Sequence, residues 1–107
     1  MITLQQTYRE DEDSYSYEGY SIMVDGNEVG FANLMVDDTS TYIERLDINE
    51  ESRNKGFGTQ ATKIIISMYD RVFAAPDNAN SKRLLERLGY ETNEYWMVDQ
   101  GYGVYVF

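Results

Sequence analysis

The alternation of apolar and polar positions divides the chain into short, strand-like runs followed by helical ones. Gly19 to Val24 is apolar and β-rich, Asp25-Gly26-Asn27 supplies a tight-turn signal, and Glu28 to Val36 resumes the strand pattern. Two such runs around that turn predict a hairpin. Ile2 to Thr7 alternates weakly and reads as a first strand, whereas Glu10-Asp11-Glu12-Asp13 reads as a solvated loop. A second turn, Asp37 to Ser40, leads into Tyr42 to Ile48, where Tyr42, Leu46 and Ile48 are expected on one strand face with Glu44 among them.

Past Ile48 the period changes. Phe57, Ala61, Ile64, Ile65 and Met68 recur at helical spacing, so the stretch "SRNKGFGTQATK" (Ser52 to Lys63) lies between a strand and a helix N-terminus. Arg71 to Ala75 reads as a short strand, Asp77 to Asn80 offers cap residues, and Ser81 to Leu88 reads as a helix with Leu84, Leu85 and Leu88 inward and Gly89 as its stop. Tyr95 to Val98 and Gly103 to Phe107 are expected as closing strands. The order is β-β-β-β-α-β-α-β-β, a mixed sheet with helices packed on it.

Composition narrows the chemistry. The 107 residues make one expected domain spanning 1–107, and 42% hydrophobic residues with no apolar run near the roughly 20 a membrane span needs give no expectation of a membrane role. No basic segment precedes an apolar stretch, so the cytoplasm is the expected compartment. With no Cys and no His there is no thiolate nucleophile, no imidazole base and no expectation of a metal site, so proton transfer falls to Asp, Glu, Tyr, Lys or water.

The net charge of −10 argues against direct nucleic-acid binding, which draws on Lys and Arg. Its distribution says more. Arg45 to Arg87 holds eight basic against six acidic residues, a balance of +2, whereas the rest holds Arg9 against thirteen acids. A mildly basic centre in an acidic frame suits an anionic cofactor held centrally and a cationic partner at the edge. Two glycines at a helix N-terminus fit the same idea, because unpaired N–H groups and about half a positive charge meet an anion there. The spacing is neither the P-loop nor the dinucleotide fingerprint.

Arg53-Asn54-Lys55-Gly56-Phe57-Gly58 resembles the acetyl-coenzyme A signature of the GCN5-related N-acetyltransferases (GNAT), Arg or Gln followed by x-x-Gly-x-Gly/Ala. Downstream, "NANSKRLLERLGY" resembles that family's second element, an Asn, a short amphipathic helix and Leu-Gly-aromatic. The likeness covers about residues 42 to 90. It implies an α/β (α+β) fold: a mixed, mostly antiparallel sheet with splayed central strands and two helices, lacking the family's usual helices between strands 1 and 2. It also implies acetyl-CoA as co-substrate and transfer of its acetyl group to a primary amine by direct attack in a ternary complex. Carried over, the backbone of Leu46, Asp47 and Ile48 would pair with the pantetheine arm. Arg53, Asn54, Lys55, Gly56, Phe57, Gly58 and Thr59 would wrap the pyrophosphate, and Asn78 would contact pantetheine.

The sequence departs from the family where catalysis is concerned. The position of the family's usual Tyr acid is Leu85, and the usual base positions are Phe73 and Tyr42. Glu44 is the substitute base, on the expectation that it shares the strand face of Leu46 and is partly buried. The interval Tyr8 to Tyr17, read as a loop, replaces the helices that build much of the acceptor site, so that site is open or completed by the second subunit of a homodimer. The acidic rim favours a cationic acceptor: a polyamine, an aminoglycoside or a Lys-rich protein. Two alternatives stand beside this reading, an inactive CoA-binding or protein-binding module and an acidic nucleic-acid mimic.

Overall fold

The computed structural model describes residues 1–74, 79–88, 90–92 and 104–106. Its strands are β1 (Ile2–Asp11), β2 (Tyr15–Val24), β3 (Asn27–Asp37), β4 (Thr41–Ile48), β5 (Val72–Ala74), β6 (Tyr90–Thr92) and β7 (Val104–Val106), and its helices are α1 (Phe57–Met68) and α2 (Ala79–Leu88). A 3₁₀ turn, Glu50–Ser52, follows β4. The strands form one sheet in the order β1-β2-β3-β4-β5-β7-β6, antiparallel throughout except for the parallel pair β4–β5. The expected mixed, mostly antiparallel fold with two helices is therefore present.

One face of β1–β4 is apolar and takes α1. Ile22, Ala32, Leu34 and Ile43 on the sheet meet Ala61 and Ile65 of α1, and Leu85 brings α2 into the same core. Burial of this kind, at about 25 cal/mol per Å² of apolar surface, is what holds a helix this short in place. Met68, expected inward, is 42% exposed, because α1 ends there.

The acidic interval is not the expected loop. Glu10 and Asp11 belong to β1, which runs antiparallel to β2 as far as the pair Asp11–Ser16, leaving four residues, Glu12 to Tyr15, to turn the hairpin. Partners within β1 and across to β2 compensate the charge. Arg9 donates through Nε to Asp11 Oδ1 at 2.8 Å and approaches Glu18 at 3.5 Å, while Ser16 Oγ donates to Asp11 at 2.6 Å. No helix lies between β1 and β2, as expected.

The face phase of β4 also differs. Leu34 pairs with Ile43 but Asn33 pairs with Arg45, so Glu44 is an extra residue in β4, a bulge. A bulge reverses the alternation beyond it. Leu46 and Ile48 join Ile43 on the α1 face, opposite Ala32 and Gly30, while Tyr42 and Arg45 point to the other face with Met35 and Asn33. The expectation that Tyr42, Leu46 and Ile48 share a face fails because single-residue bulges are invisible to a strict period of two.

Two further boundaries moved. Helix α2 starts at Ala79 and so takes in Asn80, read as a cap, and β6 was not expected because three residues are too few to show a pattern. Asn78, Gly89 and the strand expected at Tyr95 to Val98 lie outside the described residues.

Candidate active site

Among the described residues, strands β4 and β5 lie side by side from Thr41–Val72 to Ile43–Ala74. Past Ile43, among the described residues, the β5 side of β4 has no strand partner, and a cleft of about 620 Å³ opens there, a size suited to a small-molecule ligand. Leu46, Asp47 and Ile48 form its β4 wall, and Gly56, Phe57, Gly58 and Thr59 bring in the N-terminus of α1.

Local sequence explains that helix start. Asn54 (φ 64°) and Gly56 (φ 82°) both take the left-handed conformation, which turns the chain sharply into α1. The first helical hydrogen bond runs from Gln60 N–H to the Gly56 carbonyl at 3.1 Å, and no side chain caps the end. The N–H groups of Phe57, Gly58 and Thr59 therefore have no partner four residues back, and these residues line the cleft, where the helix dipole adds partial positive charge. Gly58 has a packing reason as well. A Cβ there would come within 3.2 Å of Leu84 Cδ1, so its absence lets α2 close the far wall.

Arg53 lines the cleft but is not a free cation. Its Nε donates to the Ile48 carbonyl at 2.8 Å, and its Nη2 lies 3.5 Å from Asp47 Oδ1, so it ties the loop to the end of β4. Asn54 also lines the cleft, whereas Lys55 does not. From α2, Arg83, Leu84 and Arg87 complete the lining. These two arginines were not singled out from the sequence, although their spacing of four on an amphipathic helix was the available signal. The charged lining is thus three arginines against Asp47, a positive balance inside a chain of net charge −10.

The candidate catalytic positions are less favourable. Glu44 is brought to the bulge beside the cleft strand but is exposed, so the expected partial burial is absent. Leu85 is a buried core residue, and Phe73 is buried with the Arg71 guanidinium 4.8 Å above its ring. Neither substitutes chemically for the acid or base the resemblance places there. Among the described residues no cluster of His, Cys, Asp or Glu could hold a metal ion, and no helix is long and apolar enough to cross a membrane.

Comparison with known proteins bears on this geometry. The Acetyltransferase (GNAT) family matches residues 2–90. The chain belongs to that family. Among solved structures, a GNAT acetyltransferase from Elizabethkingia anophelis with acetyl-CoA bound superposes with a TM-score of 0.71 at 15% identity, covering 99% of this chain and 97% of that one. The ribosomal-protein-S18-alanine N-acetyltransferase of Escherichia coli gives a TM-score of 0.63 at 16% identity, covering 84% of this chain and 66% of that one. A GNAT acetyltransferase from Staphylococcus aureus Mu50 gives 0.64 at 11% identity, with coverage of 84% and 66%. At these identities the GNAT structures establish the fold. Comparison with the curated proteins finds no match to this sequence.

Proposed function

We propose that this GNAT chain is an acyl-CoA-dependent N-acetyltransferase that acetylates a primary amine directly, in a ternary complex. The observation that carries the reading is the uncapped N-terminus of α1, opening into a cleft beside the side of β4 that, among the described residues, has no strand partner past Ile43. The N–H groups of Phe57, Gly58 and Thr59 suit a diphosphate, and the exposed edge of Leu46 to Ile48 suits the amides of a pantetheine arm, which would add to it as a strand does. When bound, acetyl-CoA supplies an acyl carbon activated as a thioester, which an amine converts to an amide with release of the thiol.

The acceptor is read as cationic and as reaching β4 from the face opposite α1. That face presents Tyr17, Met35 and Tyr42 in one row across β2, β3 and β4, with Glu10 paired to Tyr17 and Asp37 paired to Tyr15 at its margin. The Tyr17 phenol is held above its ordinary value by its hydrogen bond with Tyr15, by burial, and by the nearby carboxylates of Glu44 and Glu12. Rings edged by carboxylates attract an ammonium group. Glu44 at the bulge, or water, would take the amine proton. Because Glu44 is solvent-exposed and replaceable by water, Glu44→Gln is expected to lower kcat by less than tenfold in a steady-state assay. A loss of a hundredfold or more would make Glu44 the dominant base.

Calorimetry with acetyl-CoA, followed by thiol release in the presence of polyamines and Lys peptides, tests the reading. Binding with amine-dependent thiol release is expected, and absence of binding would overturn it. The second reading, a CoA-binding module without turnover, is favoured by the burial of Leu85 and Phe73 at the family's acid and base positions. Binding with no release across the panel would support it.

A further inference from the structure

The carboxylates of the first four strands are not compensated alike. On the α1 face Arg9 serves both Asp11 and Glu18, and toward the end of β4 Arg45 and Arg53 share Asp47. Glu10 and Glu12 at the β1–β2 turn, and Glu44 at the bulge, are exposed and have no ion-pair partner among the described residues.

A pair of rings stands among these three. Tyr15 and Tyr17, two apart on β2, lie on the face opposite α1, and both are half-buried. Their centroids are 5.3 Å apart with the planes at 87°, so two ring faces meet in a near-right-angled corner. Glu10 is the cross-strand neighbour of Tyr17, and the Glu12 N–H donates to the Tyr15 carbonyl at 2.8 Å, which keeps the turn residue beside the rings. The Tyr17 phenol, raised first by Tyr15 and then by burial, also responds to Glu44 and Glu12.

Such a corner suits an alkylammonium group. The ring faces attract the cation and pack against its methylenes, while the uncompensated carboxylates supply the opposite charge. The corner is on β2, two strands from β4, a separation of about 10 Å at the usual strand spacing. An amine acetylated at β4 therefore does not occupy the corner. A second ammonium on the same molecule, carried by an extended methylene chain, reaches it.

We propose that Tyr15 and Tyr17, with Glu10 and Glu12, form a subsite for the distal ammonium of a linear polyamine, and that this subsite selects diamines over monoamines. The selection rests on the reading that the acceptor reaches β4 across this face. The affinity of the corner for an alkylammonium group stands apart from it.

Calorimetry of diaminooctane without CoA, at fixed ionic strength, tests the corner. Tyr17→Leu, which keeps apolar bulk without a ring, and Glu10→Gln/Glu12→Gln are each expected to weaken binding at least fivefold. Tyr17→Phe keeps the ring and should stay within twofold of wild type. Glu50→Gln/Glu51→Gln removes the same charge from exposed positions past the far end of β4 and should also stay within twofold. Circular dichroism melts confirm that each variant folds. Absence of binding to wild type, or equal weakening by the two Gln pairs, would overturn the corner. With acetyl-CoA present, kcat/KM for diaminooctane should exceed that for octylamine, which lacks the second ammonium, at least tenfold. Tyr17→Leu should bring the two within about threefold by raising KM for the diamine. Equal kcat/KM for the two amines in wild type would overturn the selection. Binding at the corner with no thiol release from any amine would remove the acetyltransferase reading and the acceptor role with it, leaving the corner an alkylammonium site.

Discussion

Gly56→Asp is expected to lower acetyl-CoA affinity at least a hundredfold, about 2.7 kcal/mol, while leaving the chain folded. Gly56 is the residue from which α1 springs, and a Cβ there meets only Gln60 Nε2, at 3.8 Å, so space is not the obstacle. Asp is one of the few L-residues that enters the left-handed region at modest cost. Its carboxylate would stand at the positive end of α1, compete for the N–H groups that open on the cleft, and repel the diphosphate. Gly26→Asp supplies the control. That glycine has a similar φ of 85° in the β2–β3 turn with nothing within 4 Å, so it incurs comparable backbone strain without touching the cleft. Calorimetry on both variants separates the effects. Equal affinities for the two would remove the α1 terminus from ligand binding.

The largest expected loss of stability comes from Glu18, which is 4% exposed on the α1 face of β2. Its Oε1 accepts hydrogen bonds from the hydroxyls of Tyr20 and Tyr69, each at 2.7 Å, and Arg9 Nη1 lies 3.5 Å from Oε2. The cluster ties the residue after α1 to the β1–β2 hairpin. Glu18→Ala would leave two part-buried hydroxyls without their acceptor and cost about 3 kcal/mol. At about 4–8 °C per kcal/mol for a domain near this size, the melting temperature should fall by at least ~12 °C. Glu18→Gln, which keeps an acceptor oxygen, should cost markedly less. None of these residues lines the cleft, so the folded variant should still bind acetyl-CoA. A change under about 1 kcal/mol on Glu18→Ala would show that the cluster is not a structural tie.

The same cluster predicts alkaline sensitivity. Burial, then hydrogen bonding with Tyr20 and Glu18, pushes the Tyr69 phenol far above its ordinary value, and burial is also the main cause that raises Tyr20. Because the folded values lie above the unfolded value near 10, stability is complete below about pH 10 and is lost as pH rises beyond it. Urea melts from pH 8 to 11 should show that decline. In Tyr69→Phe the slope above pH 10 should be shallower, even though stability at pH 7 is lower, and an unchanged slope would exclude Tyr69 as its source.

The sequence by itself determined the sheet-and-helix order through α1, the turn at Asp25–Gly26, and the place of the glycine stretch between β4 and α1. Each is a local property: a period of two or 3.6, or a residue able to take positive φ, is written in adjacent positions. Part of the site was legible for the same reason, since Gly56, Phe57, Gly58 and Thr59 follow one another at a helix start. Only the tertiary structure decided that Glu44 is a bulge, that Leu46 and Ile48 face α1, and that Glu10 and Asp11 continue a strand. Those outcomes depend on the register between neighbouring strands and on cross-strand contacts such as Ser16 with Asp11 and Arg9 with Glu18, which the order of residues conceals. It also decided that Arg53 turns back to Ile48 while Arg83 and Arg87, some thirty residues on, line the same cleft. A cleft between β4, α1 and α2 exists only after the helices pack, because packing fixes which side chains of separate elements share one volume.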